Sequence, residues 1–321
     1  WAERGLVESA FLDWLEDEGR VSFPWSMIDK ITPHPSERVQ EELGRLGVAD
    51  MAIARTNTGT LIAPFVNAEI TEYLVLEDAF PNGRPALEGA GVYLTDRTTV
   101  EKAEKMKVGT CLNPLHTALA VYGCLLGYTS IAAEMGDADL KALVEHIAAE
   151  SLPVVEDPGI LSPRAFIDEV LHERFPNPAI PDTPQRIAAD TSQKLPVRYG
   201  GTLRRYARQS EQALAGLEFA PLVFAGWCRY LLGVDDRGNA MPVSPDPMLP
   251  QLQAHLKGIE VGRPDSLAGQ LRPILSNAAL FGVDLYAAGL GERTEEMFRD
   301  MLAGPGAVRA TLHRNCVCKQ P

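Results

Sequence analysis

The chain has 321 residues, 45% of them hydrophobic and 23% charged, without a low-complexity tract and with room for about two packed domains. A formal net charge of −13 and a pI near 5.0 set it against phosphate backbones and anionic lipid, so nucleic acid and membrane surfaces are excluded as expected partners. Five scattered cysteines, an odd number, make no disulfide framework and fit a reducing cytoplasm.

The first residue is tryptophan rather than methionine, so the sequence reads as a piece of a longer protein. Residues 3–19 predict an amphipathic helix with Leu6, Val7, Ala10, Phe11, Trp14 and Leu15 on one face. Charged residues are interleaved with the apolar ones, unlike a signal peptide. "VSFPWSMIDKITPHP" is extended or looping, punctuated by Pro24, Pro33 and Pro35, and Ser36 is placed to cap a short helix ending about Leu46. Strand-like runs follow: "MAIART" and "LIAPFV" around Asn57-Thr58-Gly59, then "TEYLVLEDAF" before the turn "FPNGRP".

From residue 97 helical periodicity takes over, at 98–107, 113–134, 138–150, 163–174, 184–194, 202–217, 220–232, 265–280 and 284–303. Pro-rich segments 176–184 and 242–250 read as loops between helices. The expected fold class is mainly α. A multi-helical domain at 98–321 follows, at 1–97, the β-rich tail end of an α/β domain. Residues 115–133 carry no charge and contain Gly123-xxx-Gly127, long enough for a membrane span. The polar His116, Thr117, Tyr122, Tyr128, Thr129 and Ser130 favour instead a buried helix, its two glycines admitting a neighbouring helix.

The stretch "MKVGTCLNPLH", residues 106–116, packs polar and titratable groups against this apolar run. Asn113-Pro114 predicts a helix start, asparagine at the N-cap and proline at the first helical position, with His116 in the first turn. Two readings stand side by side. In one, a capping asparagine, a solvent-facing Lys107 and a satisfied core histidine complete the account. In the other, the Asn113 carboxamide donates to a substrate oxygen and the positive helix end keeps His116 neutral. Lys107, crowded by Lys105 and by apolar neighbours, is then the general base. A base beside neutral donors is what alcohol oxidation by hydride transfer needs when no metal is present.

"MKVGTCLNPLHTALAVYG" resembles the signature of the long-chain polyol dehydrogenase family, which includes mannitol 2-dehydrogenase, arabinitol dehydrogenase and the fructuronate and tagaturonate reductases. The family motif is a lysine, an asparagine and, three residues on, a histidine. The resemblance implies Lys107 as general base and Asn113 and His116 as donors to the substrate oxygen. The family spaces lysine and asparagine five apart and this chain six. A one-residue bulge between Val108 and Leu112 reconciles them, with Lys105 as the fallback base.

Other stretches carry the same resemblance. "FPWSMIDKITP" implies Asp29 in the substrate pocket, where it otherwise reads as an acid–base neighbour pair in a loop. "LEDAFPNGRPALEGAGV" resembles the crossing from a Rossmann-like dinucleotide-binding domain into the helical one. "RFPNPAIPDTPQRIAADTSQKLPVR" implies Arg186 and Lys194 as substrate contacts, although with Asp190 they also form a charge ladder suited to a solvated helix face. Glu104 matches a family glutamate associated with proton passage, and otherwise reads as an exposed acid.

The implied cofactor is NAD or NADP. No Gly-rich strand–turn–helix fingerprint occurs in the sequence, so its phosphate site is expected outside this chain. No metal is expected: His313, Cys316 and Cys318 cluster near the end without a second ligand pair at zinc spacing. The implied function interconverts a secondary alcohol and a ketone on an open-chain sugar acid of the mannonate/fructuronate type. The alternatives are a mannitol/arabinitol-type polyol 2-dehydrogenase, or a non-catalytic helical module binding a sugar acid or a partner protein.

Overall fold

The computed structural model describes residues 1–57 and 59–317. Its first part is sparse in regular structure: α1 (Ser9–Glu16), β1 (Ser26–Asp29), α2 (Glu37–Arg45), β2 (Ala54–Arg55), β3 (Leu61–Ile62), β4 (Tyr73–Glu77) and β5 (Tyr93–Thr95). The first helix is shorter than its periodicity predicts and buries none of its residues. "MAIART" and "LIAPFV" shrink to the two-residue hairpin β2–β3. Pro64 has no N–H to extend that ladder.

The informative element is a three-stranded sheet with β4 at its centre, antiparallel to β1 and parallel to β5. Met27 lies opposite Val75. The twofold alternation along β1 turns Met27 and Asp29 inward and Ser26 and Ile28 outward. A carboxylate is thereby delivered to the buried face.

The rest of the chain is helical. It comprises α3 (Arg97–Met106), α4 (Asn113–Leu126), α5 (Ile131–Glu134), α6 (Ala138–Ser151), α7 (Pro163–Glu169), α8 (Pro184–Ile187), α9 (Thr191–Arg198), α10 (Gly200–Gln209) and α11 (Glu211–Ala215). There follow α12 (Phe219–Tyr230), α13 (Leu249–His255), α14 (Arg272–Leu275), α15 (Ala278–Phe281), α16 (Gly291–Met301) and α17 (Ala307–Cys316). The core is built on α4, buried from Pro114 to Leu125, and α12, buried from Ala220 to Tyr230. Gly226 lets them close: a Cβ there would sit 2.7 Å from the Tyr122 ring, whose hydroxyl donates to the Leu222 carbonyl at 2.8 Å.

The helices are more broken than periodicity predicts, and caps explain where. Within the uncharged run α4 ends at Gly127, in the left-handed region at φ 82°, so the run forms two helices rather than one. Among the described residues no helix is long and apolar enough to cross a membrane. Asp190, at φ 53°, separates α8 from α9. Ser210 ends one helix and caps the next through Ala213 N, and Asn277 caps α15. Two helices are additional: α13 begins inside the Pro-rich segment read as a loop, and α17 follows the last predicted one. On α17, His313 pairs with Asp139 at 2.8 Å, and Cys316 is a buried free thiol. Cys318, the remaining member of that cluster, lies outside the described residues.

Gly123 faces the neighbouring short helix α5 and admits one of its side chains. A Cβ there would meet the Glu134 carboxyl at 2.1 Å, so the glycine makes a notch for a fully buried acid. Neither Glu134 oxygen has a hydrogen-bond partner among the described residues. Burial, reinforced by Asp137 and Asp182, pushes its pKa up from 4.5 to about 9, so the acid is neutral at pH 7. The folded state then holds a proton that the unfolded chain releases above pH 4.5. Stability therefore falls as pH rises from about 4.5 through about 9, by ~3 kcal/mol at pH 7. Glu134→Gln is expected to remove this slope and gain most at pH 8. Urea denaturation of both proteins at pH 5, 7 and 8 checks it, and parallel pH profiles would refute it.

Candidate active site

The site begins where α3 does not stop. After Met106 the chain makes a π-turn over Lys107–Cys111, closed by Leu112 N donating to the Lys107 carbonyl at 3.1 Å. This turn takes up one extra residue in the segment where the six-residue spacing calls for a bulge. Lys107 turns inward, its side chain 17% exposed. The amine donates to the Ile28 carbonyl and lies 3.2 Å from Asp29 Oδ1.

Lys105 does not crowd it. Two residues apart on a helix lie on opposite faces, and Lys105 pairs with Glu101 at 2.9 Å. Glu104 is exposed and, with Lys105, lines a separate cleft shared with Arg204 and Arg208.

Asp29 is gripped from the other side by Arg174, NH1 to Oδ2 at 2.7 Å and NH2 to Oδ1 at 3.1 Å. The same guanidinium binds Glu69, Nε to Oε2 at 2.9 Å and NH2 to Oε1 at 2.7 Å. All three side chains are buried. Two cations, Lys107 and Arg174, balance two carboxylates, which makes the cluster tolerable in low dielectric. Arg174 ends a second π-turn, Val170–Arg174, that follows α7. Sequence reasoning missed Arg174 and Glu69. The available signal was the arginine that opens "RFPNP" at the end of an amphipathic helical run.

Asn113 is not the N-cap. Leu112 holds that position at φ −128°, ψ −60°, Asn113 is the first helical residue, and no side chain caps the helix. The preceding π-turn runs almost directly into α4 and leaves Asn113 no extended backbone from which to cap. Its carbonyl accepts from Thr117 Oγ1 at 3.0 Å and Arg198 NH1 at 3.5 Å.

His116, in the first turn, is buried and packs at 5.0 Å between centroids on Phe175. Its Nε2 lies 3.4 Å from Asp182 Oδ2 but outside hydrogen-bond alignment, and has no hydrogen-bond partner among the described residues. Asp182 is already held by Arg186, Nε at 2.7 Å and NH2 at 2.6 Å. Burial drives the His116 pKa down to about 3, with Arg198, Arg186 and Lys194 adding to the effect and Asp182 opposing it. The ring is neutral, as expected. The leading cause is desolvation rather than the helix end. A small cavity is bordered by His116, Phe175, Ile180, Asp182 and Arg174; Asp29 and Lys107 do not line it, and Arg174 is the residue it shares with their cluster.

Arg186 and Lys194 do not share a helix face, because Asp190 breaks the helix between them. Lys194 Nζ donates to the Ile187 carbonyl at 3.0 Å and to the Ala189 carbonyl, closing the end of α8. Burial and the neighbouring Arg198 lower its pKa. Arg198, not singled out in the sequence, completes a group of three cations around His116.

A family profile described as the mannitol dehydrogenase C-terminal domain matches residues 99–294. A D-mannonate oxidoreductase of Thermotoga maritima is 57% identical over 314 residues, covering 97% of this chain and 58% of that protein. A mannitol 2-dehydrogenase of Aspergillus niger is 32% identical, covering 85% of this chain and 50% of its own length. Among solved structures, Pseudomonas fluorescens mannitol 2-dehydrogenase, in a ternary complex with NAD and D-mannitol, superposes with a TM-score of 0.73 at 30% identity. The match covers all of this chain and 58% of that one. The chain thus spans between half and three-fifths of the length of these relatives. With the profile covering well over half of its residues, the chain belongs to the mannitol dehydrogenase family and carries that family's C-terminal domain.

Proposed function

We propose that the whole protein is a cytoplasmic, nicotinamide-dependent oxidoreductase that interconverts a secondary alcohol and a ketone on an open-chain sugar acid. Residues 1–97 are read as the tail of the dinucleotide-binding domain and 98–321 as the substrate domain. The observation that carries this is the buried, neutral His116 with an unpartnered Nε2, ringed by Arg186, Lys194 and Arg198 and opposed by Asp182. An orphaned donor asks for a substrate oxygen, and the surplus of cations in a chain of net charge −13 asks for an anion. The name of the Thermotoga maritima relative, D-mannonate oxidoreductase, points the same way.

A nicotinamide cofactor, NAD or NADP, would when bound supply the hydride chemistry. The described residues fit the substrate end of such a site. The phosphate-cradling fingerprint has no counterpart in this sequence. In reduction the Lys107 ammonium, held in place by Asp29 and the Ile28 carbonyl, gives its proton to the forming alkoxide; oxidation runs from the neutral amine, which takes the hydroxyl proton. His116, in its Nε2–H tautomer, and the Asn113 carboxamide donate to the oxygen and support the charge it gains as the proton leaves. Arg186 holds Asp182 beside the imidazole, and Lys194 contributes positive potential. No step uses a metal.

The test is reduction by the whole protein, with NADH and NADPH, of D-fructuronate, D-tagaturonate and D-fructose. Faster turnover of a ketouronate is the expected result. Preference for fructose would favour the polyol reading, and no hydride transfer to any of them would discard both.

A further inference from the structure

Arg198 is the last residue of α9, one helical turn beyond Lys194 and therefore on the same face. It reaches the start of α4, where NH1 donates to Thr117 Oγ1 at 2.5 Å and approaches the Asn113 carbonyl at 3.5 Å. Those two contacts account for one nitrogen of three. Among the described residues Nε and NH2 have no acceptor, and no carboxylate lies within ion-pairing distance.

Arg293 is also half-buried with one nitrogen on a carbonyl, that of Leu217, and no acid, but several other arginines are treated differently. Arg174, Arg186, Arg205 and Arg309 each meet at least one carboxylate. Arg229, fully buried and also without an acid in contact, spends its three nitrogens on the carbonyls of Met301, Val234 and Asp235. Arg198 has neither arrangement, yet burial weighs on it enough to push its pKa down to about 10. Lys194, half-buried beside it, likewise has only carbonyl partners.

Two desolvated cations on one helix face, one with a free guanidinium edge, form half of a salt bridge. The fork of an arginine matches a carboxylate in two parallel hydrogen bonds. The structure assigns Arg198, with Lys194, to the carboxylate of the substrate, so that this pair selects a sugar acid over an uncharged polyol. The assignment rests on the oxidoreductase reading and adds the residue that recognises the acid. Both side chains are half-buried and neither is paired with an acid, so an anion would find two partly desolvated cations to pair with.

The test compares Arg198→Met and Arg198→Lys with the unaltered whole protein. Affinities for D-mannonate, D-mannitol and NADH are measured by calorimetry, and steady-state kinetics are run on acid and polyol substrates. Arg198→Met is expected to weaken D-mannonate binding roughly 30- to 100-fold while changing D-mannitol binding far less. The loss should fall on KM more than on kcat, and Arg198→Lys should recover part of it. Equal losses on acid and polyol would reveal a structural role through Thr117 and Asn113, and overturn the assignment. A change confined to NADH affinity would give the cations to the cofactor's phosphates, with the same result. If D-mannonate binds selectively but no hydride is transferred, the oxidoreductase reading falls and the carboxylate subsite stands. If turnover persists with the acid-to-polyol ratio unaltered in Arg198→Met, the reverse holds.

Discussion

Lys107→Ala is expected to lower kcat roughly a thousandfold in the whole protein, with KM for the sugar acid changed only a few-fold. The amine is held by two oxygens, the Ile28 carbonyl and Asp29 Oδ1, on an element that enters through a π-turn rather than a frayed helix end. Its position is therefore set before substrate arrives, which is the condition for a general base to act without reorganisation. Removing it takes away the proton acceptor while leaving the cations that hold the acid. Lys105→Ala serves as control, since that side chain faces Glu101 and a different cleft. Single-turnover and steady-state kinetics on both variants decide the matter. A normal Lys107→Ala enzyme beside an inactive Lys105→Ala enzyme would move the base to Lys105 and void the geometry argued above.

The second large effect is structural. Arg174→Met leaves Asp29 and Glu69 buried with Lys107 as the one cation still paired with Asp29, and is expected to cost about 3–5 kcal/mol. The damage should be local as well as global. Asp29 is on β1, Glu69 precedes β4 and also accepts from Ile31 N, and Arg174 belongs to the turn after α7, so one guanidinium ties three remote stretches together. Hydrogen exchange should quicken most around residues 26–31 and 69–77. Turnover should fall with it, because Asp29 loses the partner that orients it toward Lys107. Arg174→Met combined with Glu69→Gln should recover part of the stability, since one unpaired charge disappears with it. Unchanged urea midpoints for Arg174→Met would show that the cluster contributes little to holding the sheet against the helices.

Much of the helical part was legible because helices announce themselves locally. The apolar runs that became α4, α6 and α12 are periodic or uninterrupted over three turns, and burial follows from composition alone. Boundaries were less legible where the signal is conformational. Asp190 and Gly127 stop helices through left-handed backbone, and only the second is a residue type that advertises it. Near the N-terminus β4 falls inside the strand-like run "TEYLVLEDAF", whereas β1 was read as extended or looping for a different reason. Four residues such as Ser26–Asp29 form a strand only because Tyr73–Glu77 offers its edge, and that partner is more than forty positions away.

The candidate site divides along the same line. By itself the sequence determined which chemical groups are available: a lysine, an asparagine and a histidine in the family's order, an aspartate upstream and two further cations downstream, and an extra residue calling for a bulge. Those are properties of order along the chain. What tertiary structure alone decided is which groups are spent and which stay free. Arg186 is consumed by Asp182, Arg174 by Asp29 and Glu69, and Lys105 by Glu101, whereas Arg198 and His116 Nε2 are left unmatched. Charge pairing and desolvation depend on distances of a few ångströms between segments that a linear sequence leaves far apart, so no spacing rule along the chain can assign them.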